Sequence, residues 1–98
     1  MGTKALVTAA AFLVGDSEFA VQLEIQPGWH VYWENPGDFG LATEVLGVDT
    51  LTFPVPKRFV SAGGMTTYGY ERQLTMFGTA TGPLDKLEVN WLACKEST

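Results

Sequence analysis

The residue best suited to chemistry in this 98-residue chain is its single cysteine, Cys94, followed by Lys95 and Glu96. A lysine beside a thiol favours the thiolate, which is the nucleophile in sulfur chemistry, and Glu96 opposes that. One cysteine forms no internal disulfide. Two local readings stand: a small buried apolar side chain, or one member of a pair whose partner is not among these residues. The only histidine is His30. With Cys94, Met65 and Met76 it could offer soft ligands to Cu(I), but their spacing is no metal motif, and no metal site or other cofactor is expected. No serine–histidine–acid set is credible with one histidine and no serine on a strained turn. No glycine-rich phosphate loop precedes a helix, because no helix is expected. Glu18 and Glu24 read as solvated charges on a polar strand face. Asp38, after Pro36-Gly37, reads as capping a turn through its own side chain.

The elements that must hold these groups are strands. Eleven glycines and five prolines break the chain at intervals suited to antiparallel sheets. Phe19, Val21, Leu23 and Ile25 alternate with polar or small residues over 18–26, the pattern of a strand with one face on a core. Further strands are expected at 4–14, 29–34, 42–46, 49–53, 70–79 and 86–94. In 29–34, Trp29, Val31 and Trp33 share one parity, and His30, Tyr32 and Glu34 the other. His30 therefore reads as a partly exposed strand histidine, and Trp29, Trp33 and Trp91 as core. In the last strand, regular alternation places Cys94 opposite Trp91, on the more polar face, unless a bulge intervenes. Phe53-Pro54-Val55-Pro56 must be extended and cannot be a central strand, so an edge or a sheet-to-sheet crossing fits. Residues 59–68 read as a loop, either functional or a mere connection. In Tyr68-Gly69-Tyr70 the glycine lets the backbone bend, so that the tyrosines either cover a neighbouring site or pack at an edge.

Composition narrows the partners. Forty-six per cent of residues are hydrophobic and the net charge is −5, with six scattered lysines and arginines. A globular β domain follows, and nucleic acid is not an expected partner. The longest apolar run, Ala5 to Val14, is too short to span a bilayer and does not read as a signal peptide, so any targeting segment is expected upstream.

Three stretches, taken in order, carry a family likeness. They are Glu24-Ile25-Gln26-Pro27-Gly28-Trp29-His30-Val31-Tyr32-Trp33-Glu34-Asn35-Pro36-Gly37-Asp38-Phe39-Gly40-Leu41, Tyr68-Gly69-Tyr70-Glu71 and Asn90-Trp91-Leu92-Ala93-Cys94-Lys95-Glu96. Together they resemble the N-terminal periplasmic domain of the DsbD-like thiol:disulfide interchange proteins, in the suppressor-of-copper-sensitivity branch. The resemblance covers nearly the whole chain. It implies an all-β, immunoglobulin-like antiparallel β-sandwich as one domain over 1–98. It also implies electron relay from a membrane-embedded reductase domain, of the same or a partner protein, to periplasmic thiol–disulfide proteins. The processes served in the family are cytochrome c biogenesis and copper tolerance. By position, Cys94 matches the first cysteine of the family's active pair. The stretch from Ser61 to Thr67 with Tyr68 and Tyr70 matches the region that shields it, giving Met65, Thr67, Tyr68 and Tyr70 as expected shielding or substrate-contact residues. The departure is the second cysteine, expected near Thr98 or a few residues beyond, so the chain is expected to be truncated there. The rival readings are a non-catalytic partner-binding sandwich within a larger membrane protein and a copper-handling module. A cysteine encoded soon after Thr98 favours the relay, its absence favours the binding module, and Cu(I) uptake lost on Cys94→Ala favours the third.

Overall fold

A computed structural model of the chain describes residues 5–61 and 63–95. Residue 4, where the first strand is expected to begin, and Glu96 and Thr98 lie outside the described residues. Among the described residues ten strands form: β1 (Val7–Leu13), β2 (Glu18–Ile25), β3 (Trp29–Gly37), β4 (Glu44–Leu46), β5 (Thr50–Thr52), β6 (Lys57–Val60), β7 (Thr66–Glu71), β8 (Gln73–Thr79), β9 (Glu88–Asn90) and β10 (Cys94–Lys95). One sheet runs β1-β2-β8-β5 and the other β10-β3-β7-β6, while β4 and β9 make a separate pair. All strand pairs are antiparallel. The helical content among the described residues is one 3-10 turn, Leu84–Lys86.

The two sheets face each other across the core that the alternation in β2 anticipates. Phe19, Val21, Leu23 and Ile25 are buried and meet Leu74 and Met76 of β8, with Val31 of β3 and Tyr70 of β7 from the opposite sheet. Trp29 and Trp33 are half-buried against this core, whereas Trp91, 36% exposed, is not packed on it, contrary to the expectation. The prolines act as expected. Residues 53–56 are an extended link from β5, at the edge of one sheet, to β6, at the edge of the other. The Tyr70 hydroxyl donates to the Pro54 carbonyl at 2.7 Å and ties the crossing to the core.

Three expected boundaries move. Residues 59–68 are not one loop: the end of β6 and the start of β7 take half of the segment and pair Phe59 with Thr67. Their β-branched and aromatic residues suit a pleated surface, and the connection shrinks to a turn in which Ser61 N–H donates to Met65 O at 2.9 Å. The strand expected at 70–79 breaks at Arg72, whose φ of 70° turns the chain from one sheet to the other. The strand expected at 86–94 splits into β9, which pairs with β4, and β10, which pairs with β3. The intervening Trp91–Ala93 carries no strand, so alternation counted through it does not fix the side on which Cys94 lies.

Gly69 sets how closely β7 can approach β3. A Cβ there would fall on the Val31 carbonyl oxygen and lie 3.1 Å from Tyr32 Cα. Gly69→Ala is therefore expected to destabilise the domain by about 1–3 kcal/mol, the usual cost of forcing extra atoms into a packed interior. Urea unfolding monitored by tryptophan fluorescence measures it, and an unchanged midpoint would contradict this account of the glycine.

Candidate functional site

Cys94 opens β10, and its register partner across the ladder is His30. Directly opposed residues of an antiparallel pair project to the same face. On β3 that face carries His30 and Tyr32, because Val31 points into the core. On the other side of β3, His30 is opposite Glu71 of β7, and beyond it β6 places Phe59 opposite Thr67. One row across the outer face of the sheet therefore reads Cys94, His30, Glu71. Lys57 closes it, its Nζ lying 2.5 Å from Glu71 Oε1.

This outer face is covered. The chain leaves β3 through Gly37 (φ 94°) and Gly40 (φ 104°) and folds back over Tyr32. A Cβ on Gly40 would sit 2.5 Å from Tyr32 Cζ, so the backbone itself lies on the ring. Phe39 meets Tyr32 edge-to-face, with centroids 6.3 Å apart. Asp38 fastens this cover to β7: its N–H donates to Thr66 O at 2.8 Å and its Oδ2 accepts from Thr66 N–H at 2.7 Å. Asp38 thus clamps a distant strand instead of capping its own turn. The local turn bond comes from Asn35, whose Oδ1 accepts from Gly37 N–H at 3.2 Å.

Beneath the cover is a pocket of about 320 Å³ containing Cys94, His30 and Tyr32, with Phe39, Phe59 and Thr67 among its walls. The His30 ring stacks on Phe59 at 4.4 Å and 15°, and meets Tyr32 edge-on at 5.2 Å. His30 is only 7% exposed, not the partly exposed strand residue expected, because the aromatic side chains of β6 and the cover close over its face. Neither ring nitrogen has a hydrogen-bond partner among the described residues, nor do the Tyr32 hydroxyl and Ser61 Oγ. Burial lowers the pKa of His30, with the Glu71 carboxylate partly offsetting it. Burial raises the Tyr32 phenol, and the neighbouring Cys94 sulfur raises it further. Tyr70, on the inner face, is raised by burial and by Glu34.

The residues singled out in the sequence divide. Cys94, half-buried, and Thr67, almost wholly buried, share the pocket. Met65 is 46% exposed at the β6–β7 turn and does not line it. Tyr68 lies against Trp33, centroids 6.1 Å apart, and Tyr70 enters the core, so the structure does not bring either tyrosine to Cys94. Parity explains this: on β7, Thr67, Gly69 and Glu71 share the face of Cys94, and Tyr68 and Tyr70 do not. The soft-ligand set is not gathered either, for Met76 is in the core. Among the described residues no group of three or more His, Cys, Asp or Glu side chains could hold a metal ion. His30, Tyr32, Phe39, Phe59 and Glu71 were not among the expected site residues. A usable signal was present in 29–33, where both parities are aromatic or apolar except for His30, so both faces of the strand needed cover.

The family model for the N-terminal region of the thiol:disulfide interchange protein DsbD matches residues 3–98. The chain belongs to the DsbD N-terminal family. A solved structure similar to this DsbD N-terminal chain is the N-terminal periplasmic domain of ScsB from Proteus mirabilis, at 26% sequence identity and a TM-score of 0.61. The match covers 91% of this chain and 39% of that one, so the chain spans about two fifths of the solved ScsB domain. Comparison with curated proteins finds no match. The two facing antiparallel sheets are the immunoglobulin-like sandwich expected of a DsbD N-terminal domain. No described helix is long and apolar enough to cross a membrane.

The buried histidine makes stability depend on pH. In the unfolded chain His30 takes up a proton near pH 6.5, and in the folded domain only at lower pH. The stability contributed by the neutral ring is complete above pH 6.5 and is lost as pH falls through the lowered folded value. His30→Phe is expected to flatten the acid limb of the urea midpoint plotted against pH below 6.5. An acid limb as steep as in the unsubstituted protein would assign the effect to other groups.

Proposed function

We propose that this domain performs thiol–disulfide exchange through Cys94 in the periplasm. It relays electrons between a membrane-embedded reductase domain, of the same or a partner protein, and periplasmic thiol–disulfide proteins. The observation that carries this reading is the position of Cys94: a half-buried thiol at one end of an outer-face row, inside a covered pocket, in a chain of the DsbD N-terminal family. A structural cysteine would fit as well in the apolar core, where no cover is needed. A thiol under a cover reacts only with a partner that can displace or enter that cover, which suppresses random oxidation while permitting a shaped substrate.

In the exchange, the Cys94 thiolate attacks one sulfur of a partner disulfide. The new sulfur–sulfur bond forms as the old one breaks, and the departing sulfur leaves as a thiolate. Cys94 is then in a mixed disulfide, and release needs a second thiol. These 98 residues hold no other cysteine. The resolving thiol is supplied from beyond them or by another molecule. Thr67 and Phe59 form the pocket wall over which the partner's chain passes, and Met65, exposed on the adjoining turn, gives it an apolar contact. Tyr68 and Tyr70 act indirectly, holding β7 from the inner face.

A trapping experiment tests the relay. Free thiols are blocked by alkylation in intact periplasm, and the redox state of Cys94 is read by mass spectrometry with and without the membrane partner. The expected result is a thiol that accumulates as mixed disulfide when the partner is absent, with all such adducts lost on Cys94→Ser. A Cys94 whose state is the same in both backgrounds would overturn the relay.

A further inference from the structure

His30 has no assigned task in thiol–disulfide exchange, yet its position is unusual for a histidine. It is buried, both nitrogens lack partners among the described residues, and it lines the same pocket as the thiol that faces it across the β3–β10 ladder. A buried polar group without a partner is destabilising, and an aromatic or aliphatic residue of similar size would avoid that cost here. Stacking on Phe59 fixes the plane of the ring. Glu71 stands on the far side of the ring, opposite His30 in the β3–β7 register. A thiol, an imidazole and a carboxylate thus occupy neighbouring positions on three adjacent strands, the order in which an activated nucleophile, its base and an acid that steadies the base are arranged.

We propose that His30 is the proton acceptor for Cys94, with Glu71 as the residue that positions and supports the imidazolium. The inference rests on the exchange reading above and gives that site its base. As Cys94 Sγ attacks a partner disulfide, its proton passes to His30. The sulfur–sulfur bond breaks, the Sγ–S bond forms, Cys94 is oxidised and the departing sulfur is reduced. The departing sulfur then takes the proton back from His30, so no net charge is left in the pocket. The titratable and charged groups facing the ring are Tyr32 on β3, Glu71 on β7, Lys57 on β6, and Cys94 and Lys95 on β10. Lys57 is paired with Glu71, so the carboxylate steadies the imidazolium from within an ion pair. Burial keeps the ring neutral at pH 7, which is the form able to accept a proton.

The test is the rate of reaction of Cys94 with a small aromatic disulfide, followed by release of the coloured thiol from pH 5 to pH 10. The proteins are the reduced chain, His30→Phe and Glu71→Gln. Phenylalanine keeps the stack on Phe59 without a base, and thermal unfolding checks each variant's fold. The expected result is a rate at pH 7 at least about tenfold lower for His30→Phe, the low end of what a positioned base contributes. The gap should narrow toward about pH 10, where hydroxide in solution takes over from a positioned base. Glu71→Gln, which keeps the ring, should slow the reaction in the same direction by a smaller factor. A His30→Phe rate equal to wild type at all pH values, or lowered by one constant factor throughout, would overturn the role of His30 and leave the exchange reading standing. If His30→Phe does not fold, a Glu71→Gln profile identical to wild type overturns the arrangement. A folded wild-type Cys94 that reacts only after denaturation would overturn the exchange reading itself.

Discussion

Burial of β3 on both of its faces is the constraint on which the rest of this structure depends. A strand in a two-layer sandwich usually presents one face to the core and one to water. Here Val31 and the flanks of Trp29 and Trp33 serve the core, and His30 and Tyr32 are closed off on the other side. Everything near the site follows from supplying that second cover. The chain must reverse after β3, hence the two positive-φ glycines, Gly37 and Gly40. The reversed segment must stay down, hence the paired bonds between Asp38 and Thr66. The neighbouring strand must come close enough for its ladder to form over large rings, hence Gly69.

Those devices produce a pocket whose polar groups are incompletely satisfied. Interiors normally pair their donors and acceptors, and each exception in a native fold calls for a reason. Of the side chains with buried, unpartnered polar atoms among the described residues, His30, Tyr32 and Ser61 line the pocket, whereas Thr43 lies outside it. A concentration of spare hydrogen-bonding capacity around one thiol, under apolar walls, is expected where a second molecule completes the set during a reaction. Were the cover only a lid on a core, apolar residues at 30 and 32 would do better.

Much of the architecture was legible in the sequence because its cause was local. The alternation of Phe19 to Ile25, the glycine and proline punctuation, and the extended Phe53–Pro56 link each express a backbone or burial preference within a few residues. The site was only partly legible, because it is assembled by register. That Cys94 is opposite His30 depends on β10 joining the edge of β3 after an irregular Trp91–Ala93, and alternation cannot be counted through a break. Likewise Tyr68 and Tyr70 resembled a shield by position along the chain, and a strand's strict period of two sends them to the opposite face from Thr67. Asp38 looked like a turn residue, and its partner Thr66 is 28 positions away.

The location of the thiol on an edge strand reconciles two demands that otherwise conflict. A reactive sulfur must be held in a fixed direction, which favours a strand ladder, and it must be approachable by another protein's sulfur, which excludes a strand flanked on both sides. β10 meets both because it is paired with β3 on one side and ends its sheet on the other. Among the described residues its ladder to β3 pairs Cys94 with His30 and Lys95 with Trp29. The site is braced by β3, the doubly buried strand beside it, and by the ring stack of His30 on Phe59. The cover around Phe39 is held by the Asp38 clamp and by ring contacts. Its bonds sit near solvent, the kind that open locally without unfolding the sheets beneath.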